Sequence, residues 1–246
     1  MKLGFASAIL PDRNFEYVVD FASQNGYRCV EMMCWPTGKA ERRYAGVTHI
    51  DAEKLDASRL AAIKDFLAKK DVSISALGYY PNPLDPDAEK ANVAIAHIKK
   101  LIKTAPLLGV DTVTTFIGRD PKATVAESMR AFNQVWPDIV KLAEDSGVRI
   151  AIENCPMLFT SDEWPGGKNL ATTPRIWREM FSAIPSKNFG LDFDPSHFLW
   201  QQMDYIRPIY EFAEKLFHIH IKDAKVRKDL LDEVGVLAAP LDYQLP

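Results

Sequence analysis

The chain has 246 residues, a length that fits one large α/β domain, and a (β/α)₈ barrel needs roughly 250 residues. Its hydrophobic fraction of 47% and charged fraction of 26% are typical of a globular protein with a sizeable core. The formal net charge of −3 argues against a nucleic-acid partner, because nucleic-acid-binding domains usually carry a basic excess. No apolar run approaches the ~20 residues of a membrane span, so we expect no membrane partner.

The three cysteines indicate a reducing compartment. Cys29, Cys34 and Cys155 are odd in number and form neither a C-x-x-C pair nor a metal-finger pattern. Met1 leads directly into strand-like residues, without the basic segment, apolar stretch and cleavage site of a secretory signal. We therefore predict a cytoplasmic protein with reduced thiols.

Short β-rich runs alternate with longer amphipathic runs along the whole chain. The predicted strands are 2–9, 28–34, 72–77, 112–117, 149–154, 189–194 and 216–221. The helical patterns between them are 15–25, 57–70, 88–108, 125–146, 174–183 and 206–214. Most strands are near-continuous apolar or β-branched runs, which is typical of parallel strands that are buried on both faces. The alternation predicts a parallel sheet with right-handed crossovers.

Such a sheet closes into a barrel or stays open and doubly wound. The open form usually carries a glycine-rich phosphate turn, and neither G-x-G-x-x-G nor a P-loop occurs here. Polar residues instead follow the carboxyl ends of many strands, where a barrel builds its active site. They are Glu31, Trp35, Tyr79, Tyr80, Arg119, Glu153, Asn154, Asp194, His197, His220 and Lys222. Since no linker divides the chain, we predict one α/β domain over residues 1–246, a (β/α)₈ TIM barrel.

The predicted strands are one too few for a closed barrel. Seven are found, and the 24 residues after Lys222 hold a short helix or an irregular loop, but hardly a further helix and strand. An open barrel would leave two unpaired strand edges and an exposed core. The barrel therefore lacks its last βα unit, and we expect a truncated C-terminus with a natural chain that continues past Pro246. A partner that covers the gap is the alternative.

Three consecutive strand ends carry side chains that bind metals. Glu153, Asp194 and His220 end the last three predicted strands, and adjacent strand ends span roughly 10 Å in all. Each residue alone is more often a helix cap, a salt-bridge partner or a core residue. Together, two carboxylates and an imidazole suit a divalent cation, which also offsets the cost of burying the carboxylates. Mn²⁺ is the ion that we expect first, with Mg²⁺, Co²⁺ and Zn²⁺ as alternatives.

Three motifs in this order resemble a known family. I-E-N-x-P (152–156), D-P-S-H (194–197) and H-I-H-I-K-D (218–223) are similar to the xylose-isomerase-like TIM barrel superfamily, and within it to the sugar phosphate isomerase/epimerase family. The resemblance covers the whole chain, including E-M-M-C-W-P after the second strand.

This resemblance implies roles for single residues. Glu153, Asp194 and His220 correspond to metal ligands, Glu153 also to an acid or base, and His197 to a substrate contact. The family's fourth ligand, a glutamate at the end of strand eight, also serves epimerases as the second catalytic base. It has no counterpart in this sequence.

The predicted reaction is proton removal from a carbon next to a carbonyl, through an enediolate of a sugar or sugar-like polyol ketone. Glu153 is the candidate base. Lys222, which shares a strand face with His220, is the candidate that stabilises the oxyanion, with an ordinary surface lysine as the alternative.

Further candidates surround these residues. Trp35 and Tyr80 are predicted to line the pocket against the apolar face of a sugar. His49 lies in a segment after the second strand that has the length of a substrate-covering loop. Arg227 is a candidate clamp for a phosphate or carboxylate group. Glu31 is assigned a structural role or a hydrogen bond near the site.

Other functions remain open at this point. A lyase that dehydrates an inosose or a keto-acid begins with the same proton abstraction. An endonuclease IV-like DNA-repair nuclease shares the barrel, but its three-zinc cluster needs more histidines and a basic groove, whereas this chain has five histidines and a pI of about 6.0. A non-catalytic binding barrel is a third class. We expect a small sugar-like substrate and a homo-oligomer.

Overall fold

The computed structural model describes residues 1–37, 45–157, 167–236 and 238–245. Its main feature is a sheet of seven parallel strands in which each strand pairs with the next one along the chain. The strands are β1 (Gly4–Ala6), β2 (Cys29–Met33), β3 (Ser73–Gly78), β4 (Thr112–Thr115), β5 (Arg149–Glu153), β6 (Phe189–Phe193) and β7 (Leu216–Ile219). All seven predicted strands are confirmed, with ends that differ by at most three residues.

Each of the six predicted helical patterns contains a helix, and the described residues add a short helix after β6 and two helices after β7. The helices are α1 (Phe15–Gln24), α2 (Ala57–Lys70), α3 (Ala88–Thr104), α4 (Val125–Asp145), α5 (Pro174–Ala183), α6 (Ser196–Leu199), α7 (Arg207–Glu211), α8 (Lys228–Val234) and α9 (Pro240–Tyr243). The start of α2 is fixed by Asp56, whose carboxylate accepts a hydrogen bond from the Arg59 N–H at 2.7 Å. Thr173 caps α5 in the same way, through the N–H of Ile176.

Three predicted elements are shorter than expected. The first strand changes at Ser7 into a 3₁₀ helix, and the Ser7 hydroxyl accepts a hydrogen bond from the Met33 N–H. The predicted helix 88–108 ends at Thr104 and continues as a 3₁₀ helix that contains Pro106, a residue without an N–H for the helical ladder. The predicted helix 206–214 ends with α7, because Phe212 leaves the helical dihedral range (φ −111°, ψ 22°).

The main core lies between the sheet and the surrounding helices. Trp136 of α4, Trp177 of α5 and Phe189 of β6 are completely buried there. All residues of β2, β4 and β6 are buried as well, as the continuous apolar runs of the sequence predict for strands that are covered on both faces.

The inner face of the sheet curls around a polar interior. Side chains from β7 reach residues of β2 and β3 across this interior: His220, directly after β7, lies 2.7 Å from Glu31 of β2, and His218 lies 3.2 Å from Ser75 of β3. These contacts require that the first and last strands bend toward each other, as in a barrel. The predicted barrel architecture is therefore confirmed.

Within the described ranges, no strand joins β7 to β1, so the sheet stays open there. The tail forms α8, α9 and the two-residue antiparallel strands β8 (Lys225–Val226) and β9 (Gln244–Leu245) around Leu231 and Tyr243. Continuation of the natural chain past Pro246 stays a prediction. None of the described helices has the length and apolarity that crossing a membrane requires.

Candidate metal centre and active site

Three buried side chains meet at the carboxyl ends of β5 and β6. Glu153 is the last residue of β5, Asp194 follows β6, and His197 lies in α6. His197 Nε2 is 3.6 Å from Glu153 Oε1 and 3.3 Å from Asp194 Oδ2. Ligand atoms around one cation lie about 3.0–4.2 Å apart when the bond lengths are near 2.1 Å. The spacing of this outer group (Glu153, Asp194, His197) is therefore suitable for one metal ion.

His220 connects the outer group to a second cluster. Its Nδ1 lies 3.4 Å from Glu153 Oε1, so the structure brings these two predicted ligands together. Its Nε2 faces the barrel interior, 2.7 Å from Glu31 Oε2 and 3.2 Å from Asp192 Oδ2. Glu31, Asp192, His218 and His220 form an inner group whose potential ligand atoms lie within 4.8 Å of one another.

The inner group is closely hydrogen-bonded. Glu31 Oε1 accepts a hydrogen bond from the Tyr80 hydroxyl and one from the Thr114 hydroxyl at 2.5 Å. Asp192 Oδ1 lies 3.0 Å from His218 Nδ1. Strand periodicity places Asp192 on the same face as Asp194, and His218 on the same face as His220. This periodicity is the sequence signal that could have identified the inner group. The hydrogen bond expected for Glu31 near the site is the one to His220.

Two asparagines hold the backbone of the outer group. Asn154 Nδ2 donates to the Asp194 carbonyl at 2.9 Å, and the Asp194 N–H donates to Asn154 Oδ1 at 2.7 Å. Asn169 Nδ2 donates to the carbonyls of Glu153 and Cys155, both at 2.8 Å. Asn154 belongs to the I-E-N-x-P motif, whereas Asn169 belongs to no motif and was not identified from the sequence.

Charge coupling sets the protonation of the buried groups. Burial alone would raise the pKa of Glu31, but the charges of His220 and His218, together with hydrogen bonds from His220 and Thr114, hold it at about 2. Burial would also raise the pKa of Glu153, but the hydrogen bonds from His197 and His220 outweigh this effect and lower the pKa. Burial lowers the pKa of His220, but the charges of Asp192 and Glu31 outweigh it and raise the pKa well above its usual value.

Lys222 lies at the solvent side of the outer group. Its Nζ is 2.9 Å from Asp194 Oδ2 and 3.1 Å from His197 Nε2, and its side chain is half exposed. The charges of Asp194 and Glu153 raise the pKa of Lys222 against the opposing effect of burial. The predicted base and the predicted oxyanion stabiliser thus border the same space.

The donor set fits a divalent metal ion. Asp194 Oδ2 is buried and lies 2.9 Å from the Lys222 ammonium and 3.3 Å from His197 Nε2. A buried carboxylate oxygen needs a cation or a donor, and a metal ion would supply that charge in place of the half-exposed ammonium. Glu153, Asp194 and His220 are the residues that would hold the ion, and carboxylate and imidazole are the donors that Mn²⁺, Zn²⁺ and Co²⁺ accept.

Two predicted substrate contacts lie near this centre. Tyr80 packs on Phe116 and Met33 in a small apolar cluster against which Trp35 and Cys155 also pack. The Tyr80 hydroxyl donates to Glu31, so this residue belongs to the inner hydrogen-bond network, and its contact with substrate stays a prediction. Trp35 is partly buried and contacts the Tyr79 ring edge-on, with 4.8 Å between ring centroids.

The structure does not bring the other two candidates to the outer group. The buried ring of His49 donates through Nε2 to the Leu10 carbonyl at 3.1 Å, and His49 lines a separate cleft of about 410 Å³. Arg227 forms an ion pair with Asp229 beside the small β8–β9 sheet, because the tail folds back on itself. Substrate binding by His49 and Arg227 stays a prediction that no described contact supports.

Comparison with other proteins gives relatives in sequence that include an uncharacterized protein of a bacterium. The uncharacterized protein YfiH of Bacillus subtilis strain 168 is 28% identical over 263 aligned positions, which cover 96% of this chain and 77% of YfiH.

Solved structures share the fold. The probable 3-DHS dehydratase AsbF of Bacillus anthracis, involved in petrobactin synthesis, superimposes with a TM-score of 0.71 at 16% identity, over 94% of this chain and 76% of AsbF. The zinc-bound IOLI protein gives a TM-score of 0.67 at 21% identity, over 92% and 74% of the chains. A D-psicose 3-epimerase gives 0.68 at 14% identity, over 89% and 72%.

A family model tests the resemblance that the three motifs suggested. It describes the xylose isomerase-like TIM barrel and matches residues 19–234, which include six of the seven parallel strands. The seven strands also follow one another in barrel order. The chain therefore belongs to the xylose isomerase-like TIM barrel family.

Proposed function

We propose that this protein is a divalent-metal-dependent enzyme that isomerises or epimerises a sugar or sugar-like polyol ketone by proton abstraction next to the carbonyl. The observation that carries the proposal is the contact of buried Glu153 with both His220 and His197, beside the buried carboxylate of Asp194. The fold shared with a D-psicose 3-epimerase supports it.

A metal ion held by Glu153, Asp194 and His220 would supply electrostatic stabilisation for negative charge on the carbonyl oxygen of the substrate. Mn²⁺ is the ion that we expect first. The zinc in the IOLI structure supports a divalent ion in this fold. The cytoplasmic location and the homo-oligomer stay predictions.

Glu153 is the proposed base. Its lowered pKa keeps the carboxylate ionised at neutral pH but also makes it a weaker base, so proton abstraction by Glu153 depends on the stabilisation of the enediolate by the neighbouring positive charges. Lys222, kept protonated by Asp194 and Glu153, is placed to donate to an oxyanion at the solvent side. His197, between Glu153 and Asp194, is the proposed contact for a substrate hydroxyl.

A lyase reaction is the second candidate. It begins with the same proton abstraction and differs in the loss of a β-hydroxyl group, which needs a proton donor. The pair of Lys222 and His197, 3.1 Å apart beside Glu153, offers such a donor, and the fold shared with AsbF supports this alternative.

Incubation in D₂O with Mn²⁺ and a panel of ketoses, inososes and keto-acids separates these reactions. An isomerase or epimerase is expected to incorporate solvent deuterium next to the carbonyl without loss of water. A dehydratase is expected to produce an unsaturated ketone that mass spectrometry detects as the loss of one water. If the folded protein binds no divalent metal ion in calorimetry, the proposal is contradicted.

A further inference from the structure

The two ring nitrogens of His220 face different groups. Nε2 points into the barrel toward the Glu31 carboxylate at 2.7 Å, while Nδ1 points outward toward Glu153 at 3.4 Å. A neutral imidazole carries one proton, so the hydrogen bond that one nitrogen makes decides which nitrogen keeps a free lone pair.

Glu31 Oε2 is the oxygen that is placed to accept a hydrogen bond from His220 Nε2. Its Oε1 already accepts hydrogen bonds from Tyr80 and Thr114, which leaves Oε2 for His220. The side chain is 2% exposed, and water has little access to either oxygen. A carboxylate ionised in this position accepts a hydrogen bond from Nε2–H and cannot donate one.

Gly78 provides the space for this carboxylate. A Cβ atom at Gly78 would lie 2.9 Å from Glu31 Oε1 and 2.4 Å from Met33 Cε, closer than real Cβ contacts. The absence of a side chain at the end of β3 thus permits the observed position of Glu31.

We propose that Glu31 is a positioning residue that holds His220 in the Nε2–H form and presents the Nδ1 lone pair to the metal ion. This inference rests on the proposed metal centre and adds the group that determines its affinity. A carboxylate behind a metal-binding imidazole orients the ring and increases its basicity. Asp192 Oδ2, 3.2 Å from the same Nε2, supports this role.

The inner group could itself be read as a metal site, since four donors lie within 4.8 Å. The contacts favour the hydrogen-bonding role. Glu31 has donors on both oxygens, and Asp192 has His218 on Oδ1 and His220 on Oδ2. His218 Nε2 is also in contact, with the Ser75 hydroxyl at 3.2 Å. In the outer group, by contrast, Glu153 Oε1 lies 3.4 Å from His220 Nδ1 and 3.6 Å from His197 Nε2.

The test compares Zn²⁺ binding by the wild type, Glu31→Gln and Ser75→Ala, by competition with a chromophoric chelator. Glu31→Gln keeps the side-chain shape but removes the charge, and we expect about 10- to 100-fold weaker binding, as for other residues behind a ligand. Ser75→Ala removes a hydrogen bond of the inner group that does not involve His220, and we expect affinity within about twofold of wild type. Thermal unfolding without metal shows that each variant is folded.

A second measurement needs no variant. In the ¹⁵N-labelled, Zn²⁺-loaded wild type, long-range ¹H–¹⁵N spectra are expected to show His220 coordinated through Nδ1 and protonated at Nε2. Coordination through Nε2 would overturn the inference, as would a folded Glu31→Gln variant with wild-type affinity. Binding of two Zn²⁺ ions, with one lost in His218→Ala, would assign the inner group to a metal and also overturn it. If the wild type binds no Zn²⁺, the proposed metal centre fails, whereas equal affinities contradict only the role of Glu31.

Discussion

The inner and outer groups of polar side chains contain the same residue types but differ in how well they are paired. In the inner group, both oxygens of Glu31 and both oxygens of Asp192 have hydrogen-bond or ion-pair partners inside the barrel, with contacts such as 2.7 Å from Glu31 to His220 and 3.0 Å from Asp192 to His218. In the outer group, Glu153 lies 3.4–3.6 Å from its two histidines, and Asp194 Oδ2 is paired with the half-exposed ammonium of Lys222. The tightly paired inner group stabilises one arrangement, whereas the looser outer group, which this half-exposed ammonium borders, can accept a ligand.

The inner and outer groups differ because every second residue of a strand faces the barrel interior. Of two such residues, the one farther from the carboxyl end of the strand lies deeper in the barrel. Asp192 and Asp194 of the same strand segment share a face, but Asp192 reaches Glu31 of β2 and Tyr80 after β3 across the interior, while Asp194 lies at the mouth beside half-exposed Lys222. The comparison predicts that substitutions in the outer group affect chemistry directly, and that substitutions in the inner group affect stability and, through His220, metal affinity.

The largest effect is expected for Glu153→Gln. Loss of the base should reduce turnover by about 10²- to 10⁴-fold, in the range of general acid–base contributions, while the fold is retained. Steady-state kinetics on the best substrate of the panel, with Glu16→Gln at an exposed ion pair as the matched control, provide the measurement. Wild-type turnover in Glu153→Gln would assign the proton abstraction to another group.

Asp192→Ala should be the substitution with the largest effect on stability. It leaves His218 without its carboxylate partner in the barrel interior and removes one of the two carboxylates that face His220, and breaking such a buried pair costs about 3–5 kcal/mol. Denaturant unfolding of the metal-free protein measures this loss. If Asp192→Ala lowers the free energy of unfolding by less than His197→Ala in the outer group does, the proposed division between the two groups is wrong.

Metal affinity should increase with pH. The pKa of His220 is raised well above its usual value in the metal-free protein, so a proton occupies the ring at neutral pH and must leave when the metal binds. At pH values below that pKa, the metal affinity should fall about tenfold for each unit by which the pH is lowered, if one proton is displaced. At pH values above that pKa, the affinity should no longer depend on pH. Zn²⁺ competition assays between pH 6 and pH 8.5 test the slope; constant affinity would show that His220 is not a ligand.

The smallest effect is expected for Lys222→Met. Removing the ammonium beside Asp194 takes away a competitor for the carboxylate, so metal affinity should be unchanged or slightly higher, whereas turnover should fall by about tenfold or more through loss of the oxyanion contact. Calorimetry and kinetics on the same preparation separate the two effects. Parallel losses of both would make Lys222 a structural partner of Asp194.

Much of this arrangement could be predicted from the sequence because it depends on local periodicity. Apolar runs gave the seven strands, and their polar ends placed Glu153 and His220 close together. The tail and the long loops could not be predicted in this way, since loop conformation depends on contacts that are distant in sequence. The N–H of Arg227 donates to the Tyr243 carbonyl in the folded-back tail, and His49 bonds to the Leu10 backbone.

Asn169 is a residue of the site that the sequence pattern did not reveal. It holds the carbonyls of Glu153 and Cys155, but its position 16 residues after Glu153 in the chain gives no periodic signal. The division of the polar residues into two layers also depends on how far the sheet curls, which no single strand determines.

The most direct test of the metal centre is anomalous diffraction from crystals of the Zn²⁺-loaded protein. We predict a single peak at bonding distance, about 2.0–2.2 Å, from Glu153, Asp194 and His220 Nδ1, with Glu31 still hydrogen-bonded to Nε2. A peak between Glu31 and Asp192, or none at the ends of β5, β6 and β7, would contradict the account.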